Sequence, residues 1–194
     1  MKRNLSLVLV GLLALGVQGQ NSGKKTPEIK IDEQRRTIIT TAANYYKSAA
    51  EGYLEAAKNK IEIIQDYETL ISPIEERIKA NTETNYPAAW ITVATYKKTT
   101  GTLEEQIGNN KLLAGVLFEK AHAARLELGE NIVSLLDRRN SLDYQIHYSN
   151  SREDYTVSKK YFEEAGDKLN ATIVTELMAK KDALTGDLYK SILK

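Results

Sequence analysis

Residues 39–70 read ITTAANYYKSAAEGYLEAAKNKIEIIQDYETL, and the spacing of their apolar residues decides the fold class. Ile39, Tyr46, Tyr53, Lys60, Tyr67 and, just beyond, Ile74 recur every seven residues. Ala42, Ala49, Ala56, Ile63 and Leu70 recur with the same period, offset by three or four. Two such sets over five heptads fall along one stripe of an α-helix, the arrangement of a helix packed lengthwise on another. Large tyrosines paired with small alanines predict knobs over shallow holes and a close helix–helix approach. The pattern extends from residue 31 to 78. Ser72-Pro73-Ile74-Glu75 carries a capping serine, a first-turn proline and a capping-box glutamate, so a kink or restart is expected there, with helix to about Ala80.

A second seam follows from Lys111. Ala114, Phe118, Ala121, Arg125, Leu128, Ile132, Leu135, Arg139, Leu142 and Ile146 alternate by four and three. Ser149-Asn150-Ser151 reads as its end, with Ser151 and Asp154 placed to cap a last helix. That helix carries Phe162, Gly166, Leu169, Ile173, Leu177, Lys180, Leu184 and Leu188, close to the eleven-residue repeat of a nearly straight helix. Lys60, Arg125 and Arg139 sit within the seams, where long stems pack and charged heads reach water or a facing carboxylate.

Between the two seams, residues 81–110 look different. Seven threonines, Tyr86-Pro87, the only tryptophan, Gly101 and Gly108 interrupt any apolar period. This stretch reads as an irregular Thr-rich insert whose helix or strand character periodicity leaves open. The expected fold is therefore all-α: an elongated, antiparallel, coiled-coil-like bundle of three long helices, with a shorter irregular helical insert between the first two. Residues 31–194 form its single domain.

Outward from the helices, the N-terminus carries an address. Met1-Lys2-Arg3 is a positive n-region, residues 5–17 are an apolar run, and Val17-Gln18-Gly19 places small residues at the −3 and −1 positions. The run is too short for a bilayer that needs ~20 residues. Residues 1–19 read as a cleaved signal peptide, with residues 20–30 a flexible lead-in to an exported chain, periplasmic or extracellular. Of 27 basic residues, Lys2 and Arg3 leave with the signal, so the mature chain carries 25 against 26 acidic ones, a net charge of −1.

The 194 residues contain no cysteine. Disulfides, thiolate zinc sites and c-type haem attachment are thereby excluded. The charge balance argues against nucleic acid as a partner. Glu119 and His122 match half of a di-iron Glu-x-x-His arrangement, but His147 has Tyr144, not a glutamate, three residues before it. Asp143 and His147 share a helix face and would hold a metal only weakly. Glu75-Glu76, Glu104-Glu105 and Glu163-Glu164 are adjacent in sequence and diverge by about 100° on a helix, so they form no acid/base pair. No nucleophile elbow or glycine-rich phosphate loop is present. Asn170-Ala171-Thr172 is a glycosylation sequon inside a helical pattern, read as chance. No catalytic residue, cofactor or metal is expected.

A non-enzymatic protein that binds another protein is the expected function. A cell-envelope assembly component, an adhesin and a minor pilus or secretion-apparatus subunit all fit. Alternatives are a periplasmic chaperone, which the mature charge disfavours, and a membrane-active helical toxin, which the seven-residue run 112–118 is too short to support. The helical seams offer a route to homo-oligomers, and no stable membrane insertion is expected. Tyr86, Trp90 and Tyr96, in the insert, are the candidate partner-binding residues, because Trp and Tyr dominate interface hot spots.

Overall fold

A computed structural model describes residues 32–130 and 136–192, without the side chains of 136–142, 181 and 183–192. The described residues are all-helical, in one compact unit of a helical bundle. Helix α1 spans Glu33–Lys79, α2 Tyr86–Glu127, α3 Leu136–Glu164 and α4 Lys168–Ile192. At 1.5 Å per residue, the 47 residues of α1 extend about 70 Å. None of the described helices is long and apolar enough to cross a membrane.

The order of packing follows the chain. Arg35, at the start of α1, pairs with Glu127, at the end of α2, at 2.6 Å, so these helices are antiparallel. Ser158 and Ser151 of α3 reach Ala94 and Gly101 of α2, again in opposite directions. Phe162 of α3 shares a core cluster with Ala171 and Val174 of α4. Helix α2 is thus the middle member, gripped on one side by α1 and on the other by α3, with α4 laid on α3.

The α1 seam has the expected period and a corrected face. Ile39, Ala43, Ala50, Ala57, Ile64 and Ile71 are buried, and Tyr46, Lys60, Tyr67 and Ile74 are half-buried between them. The expected tyrosine column therefore lies at the contact except at Tyr53, which is exposed. The alanine column lies at its edge: Ala42, Ala49 and Ala56 are half-buried, the buried set is the neighbouring column one residue later, and Ile63 and Leu70 are exposed. Both columns are apolar in sequence, and α2 selects one of them.

Four boundaries also differ. The helix runs through Pro73 unbroken. Ser72 turns its hydroxyl back to the Glu68 carbonyl at 2.7 Å and caps nothing. The expected insert is not irregular: from Tyr86 onward it is the first half of α2. Its threonines Thr92, Thr95, Thr99 and Thr102 donate to carbonyls four residues back, which satisfies them within a helix. The expected second helix is divided instead, because Leu128 and Gly129 end α2, with Gly129 at φ 78. Helix α3 then passes straight through residues 149–151. The described residues form four helices where three long ones with a shorter insert helix were expected. Of the second seam, Ala114 and Ala121 are buried, Ile146 is 59% exposed, and the side chains of Ile132, Leu135, Arg139 and Leu142 lie outside the described residues. In α4, Ala171 and Val174 are buried while Leu169 is 72% exposed. Leu184 and Leu188 lie outside the described side chains, as does the signal sequence.

The turn between α1 and α2 is held by one carboxylate. Glu83 accepts the backbone N–H groups of Thr84 (2.9 Å) and Asn85 (3.1 Å) and the Arg77 Nε (2.9 Å). The Asn85 N–H, followed by Arg77 and Thr84, holds its pKa below the ordinary carboxylate value. A depressed folded-state pKa stabilises the fold above the unfolded value of about 4.3, and that stabilisation disappears as pH falls through the folded value. Glu83→Gln is expected to melt below wild type at neutral pH, with the two melting temperatures converging in acid. Parallel melting curves from pH 7 down to acid would contradict this role.

Candidate interaction site

Asn85 opens α2 by accepting the Ala88 N–H at 3.3 Å, and Pro87 lies in the first turn, where no N–H is needed. Tyr86 and Trp90 then stand one turn apart, ring centroids 5.5 Å, planes tilted by 50°. Both are half-buried, Pro87 is exposed and Ile91 is 41% exposed. These four residues make an aromatic and aliphatic tip at the start of the middle helix. Tyr96 does not belong to it. Its ring meets Tyr67 of α1 edge-on at 5.1 Å, so its role is to join α1 to α2.

Trp90 heads a column that sequence inspection missed. Residues 90, 97, 104 and 111 are seven apart, and the last three are Lys97, Glu104 and Lys111. Each pairs with α3. Lys97 Nζ lies 3.1 Å from Asp154, His147 donates from Nδ1 to Glu104 at 2.5 Å, and Lys111 donates to Asp143 at 3.1 Å. Donors and acceptors alternate along both helices, so an antiparallel register is satisfied in this alignment. Sliding α3 by one heptad would set Glu104 against Asp154, or Lys97 against His147. A polar pair inside a helical seam is best known for fixing alignment.

Lys97 and Asp154 are each only 16% exposed, and Thr100 donates to the same carboxylate at 2.7 Å. Burial by itself would lower the Lys97 pKa. Asp154, by charge and hydrogen bond, outweighs it, with Glu75 and Glu68 of α1 adding to the effect, and the ammonium titrates above the ordinary lysine range. Tyr161 of α3 is pushed up by burial and by Glu75. The column therefore lines a junction where α1, α2 and α3 all contribute charge. The residues considered as weak metal ligands, Asp143 and His147, are each engaged by a side chain of α2. Among the described residues no group of three His, Cys, Asp or Glu gathers to hold a metal.

On the same stretch of α3, Arg152 and Tyr148 both donate to Asp182 of α4. The Arg152 bond, then that of Tyr148, holds the Asp182 carboxyl below its usual value. A shallow cleft of about 450 Å³ between α3 and α4 is lined by Lys159, Glu163, Lys168, Ala171, Thr172 and Thr175. Within the sequon, Asn170 is tied to Asp167 through its side-chain nitrogen at 2.7 Å, and Ala171 is buried.

Compared with protein-family models, curated proteins and solved structures, the chain matches none.

Proposed function

We propose that the chain is an exported, non-enzymatic helical protein that binds another protein through the tip formed by Tyr86, Pro87, Trp90 and Ile91. Its role would be that of a cell-envelope assembly component, an adhesin, or a minor pilus or secretion-apparatus subunit. The observation that carries this reading is the aromatic pair on a capped helix start, beside an exposed isoleucine. Rigid aromatic anchors beside an exposed apolar residue have the makeup of an interface centre. The N-terminal pattern supports export, and the signal would be cleaved after Gly19, leaving Gln20 as the first residue. Tyr96 is withdrawn from the binding set, because its ring is used against Tyr67.

The test has two arms. Mass spectrometry of the exported chain is expected to give a mature N-terminus at Gln20; a chain retaining residues 1–19 would overturn the export reading. Trp90→Ala combined with Ile91→Ala is expected to weaken capture of the native envelope partner at least tenfold, a typical hot-spot loss, with the helical signal unchanged. Tyr96→Phe should leave capture intact. Equal capture by all three chains would place the interface elsewhere.

A further inference from the structure

Helix α1 carries a second apolar stripe whose large residues no other described helix covers, while Ala42, Ala49 and Ala56 within it are half-buried beside the seam on α2. Positions 38, 42, 45, 49, 52, 56, 59, 63, 66 and 70 alternate by four and three. Each lies one residue before a member of the seam on α2, hence about 100° around the helix. Its large residues face water: Ile38 is 62% exposed, Tyr45 70%, Ile63 40% and Leu70 56%. Its middle is small, with Ala49, Gly52 and Ala56, and a Cβ on Gly52 would meet nothing within 4 Å.

We propose that this face pairs α1 antiparallel with α1 of a second copy of the chain. The stripe is self-complementary about its midpoint, near residue 54. An antiparallel two-fold then sets Ile38 against Leu70 of the second copy, Tyr45 against Ile63, and Gly52 against Ala56. A two-fold interface requires this kind of self-matching, whereas a different partner does not. Polar members are matched too: Asn59 faces Ala49 and Asp66 faces Ala42, so no two charges meet inside the stripe. Small residues at the centre and bulky ones at both ends suit helices that cross gently, closest in the middle and splayed outward. The stripe runs over residues 38–70, about 48 Å, and is roughly 10 Å wide. Two copies would bury on the order of 1,000 Å², at the lower edge of a specific interface. The dimer is therefore a reversible one, in the micromolar range.

The pairing creates one unfavourable contact, which gives it a signature. Glu55, exposed on the flank of the stripe, meets its own copy across the two-fold axis. Added salt and Glu55→Gln are both expected to tighten the dimer several-fold.

Sedimentation of the mature chain across the micromolar range is expected to show a monomer–dimer equilibrium. Gly52→Leu should raise the melting temperature of the monomer, because leucine is the better helix former and has open space there. The same change blocks the close crossing and is expected to weaken the dimer at least tenfold. Because the chain has no cysteine of its own, Thr41→Cys and Thr69→Cys report orientation. Oxidation should cross-link a mixture of the two variants and neither variant alone. A chain that stays monomeric, association unchanged by Gly52→Leu, or cross-linking of Thr41→Cys with itself would each overturn the proposal.

Discussion

Gly101→Leu is expected to separate α2 from α3. A Cβ at Gly101 would lie 3.1 Å from the Ser151 carbonyl oxygen and 3.2 Å from two atoms of the Tyr155 ring. The first of these is backbone, so the helix itself would have to retreat. Gly108 is in the same position one heptad on, with Tyr144 at 3.1 Å and His147 at 3.3 Å. Two buried serines depend on the close approach, because Ser151 donates to the Gly101 carbonyl and Ser158 to the Ala94 carbonyl, both at 2.7 Å. Tyr155, 2% exposed, would lose its seat and its 2.9 Å hydrogen bond with Thr102. Overpacking and two stranded hydroxyls together should cost about 3 kcal/mol or more, despite leucine's better helix propensity. Denaturant unfolding at neutral pH measures this. A Gly101→Leu chain as stable as wild type would mean that α2 and α3 do not touch at these residues.

The second large effect lies in the charged column. Lys97→Glu would set a new carboxylate beside Asp154, with Glu75 and Glu68 of α1 nearby. Breaking a largely buried pair is expected to cost about 3 kcal/mol. Adding Asp154→Lys restores opposite signs and should return more than half of that loss, although Thr100 then keeps only the backbone carbonyl of residue 97 as acceptor. The pair also predicts an alkaline response. A lysine whose pKa is raised in the fold stabilises it below the unfolded value of about 10.4, and the contribution disappears as pH rises through the folded value. Wild type should therefore lose stability above about pH 10.5, and Lys97→Met should lack that component. A double variant no more stable than Lys97→Glu alone would mean that the charge pairing does not matter.

These two regions explain what could and could not be read in the sequence. The α1 period was clear because its seam contains isoleucine and tyrosine. Its face was not, because Ala42 and Ala43, Ala49 and Ala50, and Ala56 and Ala57 are adjacent equivalents, and only a partner distinguishes them. The middle helix is hard to read for a different reason. Its contact with α3 is built from Ala94, Gly101 and Gly108, seven residues apart, with Thr100 beside them, and that with α1 includes Leu103 and Ile107. Glycine and threonine are poor helix formers in isolation, so the stretch looked irregular. Yet small residues are what allow two backbones to approach, and the bulk that fills the contact, Tyr144 and Tyr155, is supplied by α3. The heptad was present in volume and charge, not in hydropathy. Gly129 and Gly166, at φ 78 and 75, mark the true helix ends more faithfully than Ser149-Asn150-Ser151, because a left-handed residue stops a helix whereas a serine inside one is tolerated.

For the candidate site, Tyr86 and Trp90 were identifiable as a pair one turn apart once helix was granted. Tyr96 was not separable from them, because its partner Tyr67 lies on another helix. Lys97, Glu104 and Lys111 give a signal only as a column below Trp90, visible when the helix is continuous.

The central claim is that α2 is the middle helix, with α3 antiparallel to it in the register that sets Thr100 beside Asp154. Disulfide trapping in this cysteine-free chain tests that alignment most directly. Thr100→Cys with Asp154→Cys is expected to cross-link within one molecule under mild oxidation, leaving the helical signal unchanged. Thr100→Cys with His147→Cys, the pairing of a one-heptad slip, should not. Trapping of the second pair in preference to the first would contradict the register, and with it the account of how α2 holds the bundle together.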